Sequence, residues 1–531
     1  MQAPLFVLLA ALLLYFLRFG YDYGISDQDD IIPYLLHRLH PERFTRDWFV
    51  QGQAAAFGVR TYPVLLLQAL SVALPIWLAF LGLYVAAWLL TAGAVFSIAY
   101  TLTRHRLAAA AAVVVALVLT PQWTLGGNDM AHSILAPSMG GWALGLWGLV
   151  FWLRDQPVKA GLLIGLATWM QPLVGLQLAG LLGVTLLWAT ARREVPARTL
   201  VLFGAAFMLA ALPALVPLFY EQLAGTTPTG ADDTPGMFYI MALFRNPHHY
   251  LFFSFPTRSL VRFGGLVVLG TLSFVWLRRK QALHHPAFVI RLAIGITAFC
   301  LVGFLCTEVV PVLAVAQLQL FKTTVLAKLI CVILICSAFF AVMPASFTRH
   351  LDRWLHHERA WLAAVLVLWA LVGLGIVLDA GPVRARVGPF AHAATPVAQV
   401  ETWARTQTPL DAVFATPPSW SGFRSRAHRA IVINFKSFPY REALNRVWFE
   451  RLTQTAPIPL PHRATPALQD SLDDAFRAQS ADALLHLAGR YEVDYIVRDQ
   501  AFSPLPSLLE EVFTADPWIV YRILPADRSR E

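Results

Sequence analysis

The chain has few charged residues and very few cysteines, and both shortages exclude classes of protein. Charged side chains make up 14% of the 531 residues and hydrophobic ones 57%, more apolar material than the core of a soluble protein can bury. All four cysteines fall inside apolar runs, which argues against a disulfide framework and against a thiolate metal site. The sequence also has no tandem repeat and no low-complexity segment. This composition predicts an integral membrane protein.

The excess of basic residues is of the kind that orients membrane spans, and it does not indicate that the protein binds nucleic acid. The formal net charge is +9, but the basic residues lie between apolar runs instead of forming one patch. Lys and Arg in such positions set the orientation of membrane spans. We therefore expect membrane lipid, and no nucleic acid, among the partners.

Eleven segments reach or approach the roughly 20 mostly apolar residues that a membrane-spanning helix needs. They are residues 3–20, 76–103, 107–121, 134–153, 158–172, 174–191, 198–219, 260–277, 287–306, 323–346 and 360–379. The first segment follows no basic stretch and shows no clear small-residue cleavage site, which favours a retained anchor over a removed signal peptide. The sequence thus predicts a polytopic all-α membrane domain over residues 1–380, with a long first loop at 21–75.

The basic residues also predict how these spans are oriented. With the N-terminus in the cytoplasm, every cytoplasmic loop is basic, as the positive-inside rule requires. These loops carry Arg104 and Arg106; Arg154 and Lys159; Arg192, Arg193 and Arg198; Arg278, Arg279 and Lys280; and Arg349, Arg353 and Arg359. The first loop goes against the rule, because it would lie outside and yet contains Arg38, Arg43, Arg46 and Arg60. The pattern as a whole favours a multi-pass protein of the bacterial inner membrane whose C-terminal domain is periplasmic.

The sequence changes character from about Gly381, where apolar runs shorten and charged residues and prolines return. Three short runs rich in β-branched and aromatic residues predict strands. They are "DAVFATPP" (411–418), "RAIVINF" (429–435) and "VDYIVRD" (493–499), and helices are expected at 396–407 and 480–490. Residues 381–531 are therefore predicted to form a soluble α/β domain.

The loops assigned to the outer side hold most of the unusual polar side chains. The first of them contains an acidic cluster, Asp27, Asp29 and Asp30, directly after the first span. The later outer loops add Asp129, His132, Arg245, His248, His249, Arg258, Gln319 and Lys322. Short interfacial helices are expected at residues 29–40 and 62–75, where apolar residues recur at helical spacing. A carboxylate held between such a helix and the spans is partly desolvated and can accept a proton near neutral pH.

This arrangement resembles the membrane glycosyltransferases of the GT-C superfamily. The resemblance rests on the acidic cluster after span one, on Asp129 after span three, on about eleven spans and on an extracytoplasmic C-terminal domain. It covers the whole chain in architecture but only short stretches in motif, and the WWD-type motif of the oligosaccharyltransferases is missing from the sequence. It implies hexosyl or pentosyl transfer on the outer face, from a polyprenyl-phosphate-linked sugar to a glycan, lipid or protein acceptor.

The resemblance also implies roles for individual residues. Asp27 or Asp29 would act as the general base on the acceptor hydroxyl. Lys322, with Arg245 or Arg258, would contact the lipid phosphate. Independently of any family, such a transfer needs a base, a cation or divalent metal beside the departing phosphate, and a site at the depth of the lipid headgroups.

Several alternative interpretations stay open for these residues. The acidic cluster suits the N-terminus of a helix that begins near Ile31, where carboxylates interact favourably with the helix dipole. His248 and His249 suit interfacial anchors, and Lys322 suits a snorkelling side chain at the mouth of a span. The run "RSRAHR" (424–429) suits a solvated face of the C-terminal domain better than a phosphate-binding patch.

Two other functions and one cofactor also stay open. A transporter or flippase of lipids or sugars would have a similar composition, but it would be expected to bury ionisable residues in mid-span and to show internal repeats. A noncatalytic membrane assembly protein would use the C-terminal domain to bind a partner. A divalent cation such as Mg²⁺ or Mn²⁺ would take oxygen ligands that include Asp29 and Asp129.

Overall fold

The computed structural model describes residues 4–224, 235–355, 357–377 and 395–525. The chain divides into two compact units. Unit 1 comprises Met1–Tyr21, Phe80–Pro217 and Asn246–Arg386, and unit 2 comprises Asp22–Ala79, Leu218–Arg245 and Val387–Glu531. The predicted domains followed the order of the chain and counted the first long loop with the membrane domain, whereas the structure groups that loop with the C-terminal segment.

The described part of the chain is predominantly helical. Numbered along the sequence, its helices are α1 (Leu5–Phe19), α2 (Gln28–Leu39), α3 (Trp48–Ala54), α4 (Thr61–Ser71), α5 (Ile76–Thr103), α6 (Arg106–Val114), α7 (Pro137–Trp152), α8 (Pro157–Met170), α9 (Pro172–Ala191), α10 (Ala197–Ala224), α11 (Pro247–Tyr250), α12 (Thr257–Arg279), α13 (Pro286–Phe304), α14 (Leu313–Gln317), α15 (Thr324–Val342), α16 (Ala345–Leu355), α17 (Glu358–Val377), α18 (Pro396–Gln407), α19 (Phe423–Ala427), α20 (Glu442–Thr455), α21 (Leu468–Arg477) and α22 (Ala481–Tyr491). Single π-helical turns extend α6 and α13, at Val115–Leu119 and Leu305–Val309.

Helices occur at all eleven segments that the apolar pattern predicted as spans. Six helical segments of the described chain are long and apolar enough to cross a membrane. They are Ile76–Thr103, Pro172–Ala191, Ala197–Gln222, Thr257–Arg279, Pro286–Val309 and Leu313–Val342. The helical membrane domain is thus confirmed, while the crossing of the bilayer by the remaining five predicted spans stays a prediction.

Close packing inside unit 1 depends on glycine at the contact between α8 and α10. A Cβ atom at position 161 would lie 2.4 Å from the carbonyl oxygen of Phe203, and one at position 165 would lie 2.7 Å from that of Phe207. Gly161 and Gly165 therefore let the two backbones touch, as small residues commonly do between membrane helices.

Unit 2 contains the two short helices that were predicted in the first loop. Their observed bounds are α2 at Gln28–Leu39 and α4 at Thr61–Ser71, so both helices are confirmed. Between them, α3 is capped by Asp47, whose carboxylate accepts hydrogen bonds from the backbone N–H groups of Phe49 and Val50. The location of these helices in the membrane interface stays a prediction.

The C-terminal part of unit 2 carries one mixed five-stranded sheet. Its strands are β1 (Val413–Ala415), β2 (Ala430–Ile431), β3 (Tyr495–Arg498), β4 (Leu509–Ala515) and β5 (Trp518–Ile523), in the order β2-β1-β3-β5-β4. β1 pairs in parallel with β2 and β3, and β5 pairs antiparallel with β3 and β4. The three predicted strands and both predicted helices, now α18 and α22, are confirmed as parts of an α/β fold.

The β4–β5 hairpin was missing from the prediction. Its sequence, "LEEVFTADPWIVYRI", has β-branched and aromatic residues on both sides of an Asp516–Pro517 turn, which is a recognisable hairpin signal. Val520 of β5 packs with Phe414, Phe423 and Tyr495 in the buried core of the sheet. The hairpin therefore completes the core.

Candidate active site

The first turn of α2 carries the acidic cluster of the first loop. The helix begins at Gln28, slightly before the expected Ile31, so Asp29 and Asp30 lie inside its first turn. Asp27 is the N-cap residue, but its side chain makes no capping hydrogen bond. Successive helical residues point about 100° apart. The three carboxylates consequently have different surroundings.

Asp29 is fully buried among C-terminal residues of unit 2. Its Oδ1 accepts a hydrogen bond from the Ser425 hydroxyl at 2.9 Å, and its Oδ2 accepts one from the Asn434 amide at 2.6 Å. The backbone N–H of Ser425 adds a longer contact of 3.3 Å to Oδ1. Because both oxygens are occupied, the geometry favours a structural role for Asp29 over the predicted role as a base.

Asp30 is also buried, but its carboxyl group is only partly satisfied. Arg60 Nη2 lies 3.5 Å from Oδ2, whereas Oδ1 has no hydrogen-bond partner. Burial raises the pKa of Asp30 to about 6, against the opposing effect of Arg60 and with a smaller contribution from Asp27. A carboxyl group with such a pKa is suited to exchange a proton near neutral pH.

Asp27 extends this group of charges toward the C-terminal segment. Its Oδ1 lies 3.0 Å from Lys436 Nζ, and its Oδ2 lies 3.8 Å from Arg60 Nη2. Arg60 therefore bridges Asp27 and Asp30. We refer to Asp27, Asp30, Arg60 and Lys436 as the Asp30 cluster.

Two residues of the Asp30 cluster, Asp30 and Arg60, line a cavity of about 110 Å³ inside unit 2. Its polar lining residues are Asp30, Tyr34, Gln53, Arg60, Thr61, Glu221, Gln222, Tyr440 and Arg441. Arg441 and Glu221 form an ion pair of 3.5 Å in this lining. Two buried acceptors in the lining, Asp30 Oδ1 and Gln53 Oε1, have no hydrogen-bond partner among the described residues. Because an unsatisfied buried acceptor costs free energy, the cavity is suited to a ligand that donates hydrogen bonds, such as a hydroxyl group.

The arginines that opposed the positive-inside pattern all have polar partners inside unit 2. The pairs are Arg38 with Gln68, Arg43 with His428, Arg46 with Asp494, and Arg60 with Asp27 and Asp30. Their number in the first loop therefore reflects internal packing of unit 2. Loop charges of this kind carry no information about membrane orientation.

The run "RSRAHR" is also part of this internal packing. Arg424 is fully buried and its Nε donates a hydrogen bond of 2.7 Å to Asp47 Oδ2. Arg429 is buried as well and donates to the carbonyl oxygen of Arg405 at 2.8 Å, at the end of α18. The interpretation of the run as a solvated face is therefore wrong, because two of its arginines tie elements of unit 2 together.

Arg245 supports the backbone that carries Lys436. It ends the π-helical turn Tyr239–Arg245, and its Nη2 donates a hydrogen bond of 3.1 Å to the Lys436 carbonyl oxygen. Its guanidinium group lies over the ring of Phe435, 4.3 Å from the centroid. Its predicted contact with a lipid phosphate stays a prediction.

Asp129 belongs to unit 1 and is held by a buried lysine. Lys328 Nζ, on α15, lies 2.7 Å from Oδ1 and 2.8 Å from Oδ2 of Asp129 and also donates to the Thr120 carbonyl oxygen. The backbone N–H groups of Gln122 and Met130 complete the hydrogen bonds of the carboxylate. Asp129 is therefore fully paired inside the helical unit, which favours a structural role.

The remaining predicted residues of unit 1 contribute polar links and exposed charge. Gln319 is buried with a positive φ of 48°, and its side chain donates to the Tyr250 hydroxyl at 2.8 Å. His249 contacts the Gly126 carbonyl oxygen at 2.5 Å. The His248 ring lies against that of His249 in a tilted arrangement, with the centroids 4.1 Å apart. Lys322 is buried in the turn Leu320–Thr323, and Arg258 is exposed at the start of α12. His132 is half-buried in the loop before α7.

Unit 1 also contains a large apolar cavity of about 730 Å³. Residues of α12, α13 and α15 form most of its lining, and nearly all of them are apolar or aromatic. Phe252, Phe304 and Phe321 stand together at the end nearest Leu125. A cavity of this size and composition is suited to hydrocarbon.

The suggested divalent cation does not fit the two carboxylates proposed to bind it. The Lys328 ammonium group holds both oxygens of Asp129, and hydrogen-bond donors occupy both oxygens of Asp29. Within the described ranges, no group of three His, Cys, Asp or Glu side chains stands close enough to hold an ion. We therefore derive no step through a metal.

The fold is that of a mostly helical protein with several helices that could cross a membrane, and its second unit contains a small mixed sheet and a cavity lined by charged side chains. A family described as a domain of unknown function, DUF6798, matches residues 396–455. No curated protein matches the chain. The matched segment contributes Ser425, Asn434, Lys436 and Tyr440 to the surroundings of the acidic cluster.

Sequence reasoning missed Arg60, Lys436 and Gln53 as residues of this site. In the sequence, Arg60 stands out only because it opposes the positive-inside rule. That exception was the signal that could have identified it as a residue of the site. Lys436 lies just after the second predicted strand and close to the aromatic "FKSFPY" run, without any motif that relates it to the first loop. Gln53 carries no signal in the sequence, because only the fold shows that its oxygen is buried.

Proposed function

We propose that the protein is a membrane glycosyltransferase of the GT-C type that uses a polyprenyl-phosphate-linked hexose or pentose. The observation that carries this proposal is the cavity of unit 2, where Asp30 Oδ1 and Gln53 Oε1 are buried acceptors without a protein partner. An acceptor hydroxyl group entering this cavity would donate a hydrogen bond to Asp30. The carboxylate would then be positioned to remove the proton of that hydroxyl group.

The proposed reaction exchanges one bond at the anomeric carbon for another. The acceptor oxygen forms a bond to C1 of the sugar, and the bond between C1 and the phosphate oxygen breaks. The proton of the acceptor passes to the carboxylate of Asp30, and the electron pair of the broken bond leaves with the polyprenyl phosphate. The negative charge that develops on this phosphate needs nearby cations.

Arg60 and Lys436 supply the positive charge of the proposed site. Arg60 stands between Asp27 and Asp30, and Lys436 is one-third exposed beside Asp27. In this proposal Asp27 orients the two cations, and Asp30 is the base. This assignment differs from the one implied by the family resemblance, because Asp29 has no free oxygen for a substrate.

The apolar cavity of unit 1 supports a lipid-linked substrate. Its volume of about 730 Å³ and its apolar lining suit part of a polyprenyl chain. We place the protein in the bacterial inner membrane, with the N-terminus in the cytoplasm and the C-terminal domain in the periplasm, from the basic loops alone. On that basis the acceptor is a periplasmic glycan, lipid or protein.

The test is turnover of defined donors by the full chain in membranes. Radiolabelled undecaprenyl phosphate hexose and pentose are supplied, and sugar released or transferred is counted in the aqueous, lipid and protein fractions. Asp30→Asn should lower the rate by about 10²- to 10⁴-fold, the usual contribution of a general base. Asp482→Asn, an exposed carboxylate at the start of α22, is the matched control and should behave as the wild type.

Two results would oppose the proposal at different levels. Normal turnover in Asp30→Asn would remove Asp30 as the base but keep the transferase. Absence of turnover by the wild type with every donor, together with no binding of undecaprenyl phosphate in native mass spectrometry, would reject the transferase.

The transporter alternative has one supporting observation, the ionisable pair Lys328–Asp129 buried within the apolar unit. Translocation of fluorescent undecaprenyl phosphate across reconstituted vesicles distinguishes it. A transporter would move the lipid without breaking its sugar bond, and Lys328→Met would stop that movement. A transferase would cleave the donor without increasing translocation.

A further inference from the structure

A basic cavity of about 340 Å³ lies in unit 1, apart from every residue proposed for sugar transfer. Its lining consists of Tyr100, Arg104, His105, Arg106, Leu107, Thr348 and Arg349. Three of these seven residues are arginines, and no carboxylate occurs among the lining side chains that the structure describes. Its volume lies within the roughly 300–1,000 Å³ of small-molecule sites.

Two separate parts of the chain build this cavity. Arg104 and Arg106 flank the tight turn between α5 and α6, where Arg104 has a positive φ of 55°. Arg349 lies on α16, which packs against α6. Arg104 and Arg349 are exposed residues. The Nε of Arg349 donates to the Ala345 carbonyl oxygen at 3.0 Å, and the Arg104 guanidinium group lies over the Tyr100 ring. Convergence of arginines from different elements is typical of phosphate recognition, because guanidinium groups bind phosphate oxygens in pairs.

The turn at α5–α6 also presents other donors. His105 caps α6, since its Nδ1 accepts a hydrogen bond from the backbone N–H of Ala108 at 3.2 Å. The hydroxyl groups of Tyr100 and Thr348 stand in the same lining. The Thr348 hydroxyl donates within α16, to the carbonyl oxygens of Pro344 and Ala345, so the arginines are the main donors that this lining offers to phosphate oxygens.

We infer that this cavity binds a phosphate-bearing anion, and that the anion is the headgroup of an anionic membrane lipid. The helix α16 favours a lipid over a soluble phosphate. Its sequence "ASFTRHLDRWL" places apolar Phe347 and Leu351 one turn apart among basic residues. Basic amphipathic helices of this kind lie at the membrane surface. Arg104, Arg106 and Arg349 also belong to loops that the charge pattern assigned to the cytoplasmic side, where anionic lipids attract basic residues.

The experiment measures lipid binding by the purified full chain in neutral detergent. Native mass spectrometry follows the retention of dioleoylphosphatidylglycerol, with dioleoylphosphatidylcholine as the neutral lipid. Each basic residue near an anionic surface contributes roughly fivefold to affinity. The triple variant Arg104→Gln, Arg106→Gln, Arg349→Gln should therefore retain phosphatidylglycerol about 100-fold more weakly.

The matched control removes the same charge from another predicted cytoplasmic loop. Arg278→Gln, Arg279→Gln, Lys280→Gln changes three exposed basic residues at the end of α12, outside the cavity. This variant should retain phosphatidylglycerol as the wild type does. Equal losses of phosphatidylglycerol in both triple variants would show general attraction to a basic surface and overturn the inference. Retention of phosphatidylcholine by the wild type as strong as that of phosphatidylglycerol would also overturn it.

A second arm distinguishes a lipid from a soluble phosphate. Glycerol 1-phosphate and inorganic phosphate are titrated against the wild type, and the midpoint of thermal unfolding is recorded. A lipid site predicts stabilisation by phosphatidylglycerol and none by millimolar glycerol 1-phosphate. Equal stabilisation by the soluble phosphates would overturn the lipid source.

If the triple variant fails to fold, the single variants Arg104→Gln and Arg349→Gln replace it. They change different elements of one cavity, and each should weaken phosphatidylglycerol retention several-fold. Wild-type retention in both would overturn the inference.

Discussion

The Asn434 amide donates a hydrogen bond of 2.6 Å to Oδ2 of Asp29, and both residues are fully buried. With the Ser425 hydroxyl on the other oxygen, this contact fixes the first turn of α2 to the segment before α20. Asp29 therefore positions the first turn of α2, which carries Asp30, against the C-terminal segment.

Asp29→Ala should destabilise unit 2 severely. The substitution leaves the buried Asn434 and Ser425 donors without an acceptor, and the cost is about 3–5 kcal/mol when a buried charged network loses one partner. Thermal unfolding of the purified full chain should show a midpoint several degrees lower. Asp482→Ala, at an exposed position, should leave it unchanged, and an unchanged midpoint in Asp29→Ala would refute the structural role.

The rate of sugar transfer should depend on the protonation of Asp30. The base must be ionised, and the pKa of Asp30 is raised to about 6 by burial, so the rate should rise with pH and level off above that value. The measurement is kcat/KM between pH 4.5 and 8.5. Any residual activity of Asp30→Asn should not rise with pH between pH 4.5 and 7. A wild-type rate whose rise is centred near pH 4 would contradict the role of Asp30 as the base.

The same carboxyl group should lower stability at neutral pH. Its folded-state pKa of about 6 lies above the unfolded value of about 3.9, so its stabilising contribution is complete below pH 3.9 and is lost as the pH rises through 6. Asp30→Asn should therefore keep or increase the free energy of unfolding at pH 7.5, by at most about 3 kcal/mol. A large loss of stability would show that Asp30 is structural, as Asp29 is.

The Lys328–Asp129 ion pair should contribute far more to the free energy of unfolding than an exposed ion pair does. Its side chains are 0% and 4% exposed, so either Lys328→Met or Asp129→Asn leaves an uncompensated buried group and should cost about 3–5 kcal/mol. The double variant should cost less than the sum of the two. Denaturant titration in mixed micelles gives these values, and Glu194→Gln, which breaks the more exposed pair with Arg291, should cost about 1 kcal/mol or less. Additive single losses would contradict the coupling.

Gly161→Ala should disturb the packing of α8 against α10. The new methyl group would meet the Phe203 carbonyl oxygen at 2.4 Å, so the helices must separate, at a cost of about 1–3 kcal/mol. Gly183→Ala on α9 is the control, because no atom lies within 4 Å of its Cβ position. That control should be neutral or slightly stabilising, since alanine favours helices. Equal stability of the two variants would refute the close contact.

The helical architecture could be predicted because the membrane imposes a strong pattern on the sequence. Apolar runs of about 20 residues predicted α5 to the residue, at Ile76–Thr103. The α/β character of the C-terminal segment followed from β-branched runs in the same way. The β4–β5 hairpin was missed, although β-branched and aromatic residues flank the Asp516–Pro517 turn.

The candidate site could be predicted only in part, because its contacts join distant parts of the chain. The three carboxylates of Asp27, Asp29 and Asp30, which follow the first predicted span closely, could be recognised as a group from the sequence. Nothing in the sequence shows that Asp29 meets Asn434 or that Asp30 keeps one oxygen without a partner. Such differences depend on helical direction and on burial, which require coordinates.

The separation of 405 residues between Asp29 and Asn434 has a consequence for biosynthesis. The first loop leaves the ribosome long before Asn434, which lies 405 residues further along the chain and completes the hydrogen bonds of Asp29. Until then α2 lacks the partners of its buried carboxylate. A product of premature termination anywhere before residue 425 therefore contains the acidic cluster without the residues from Phe438 onward that line the cavity of unit 2.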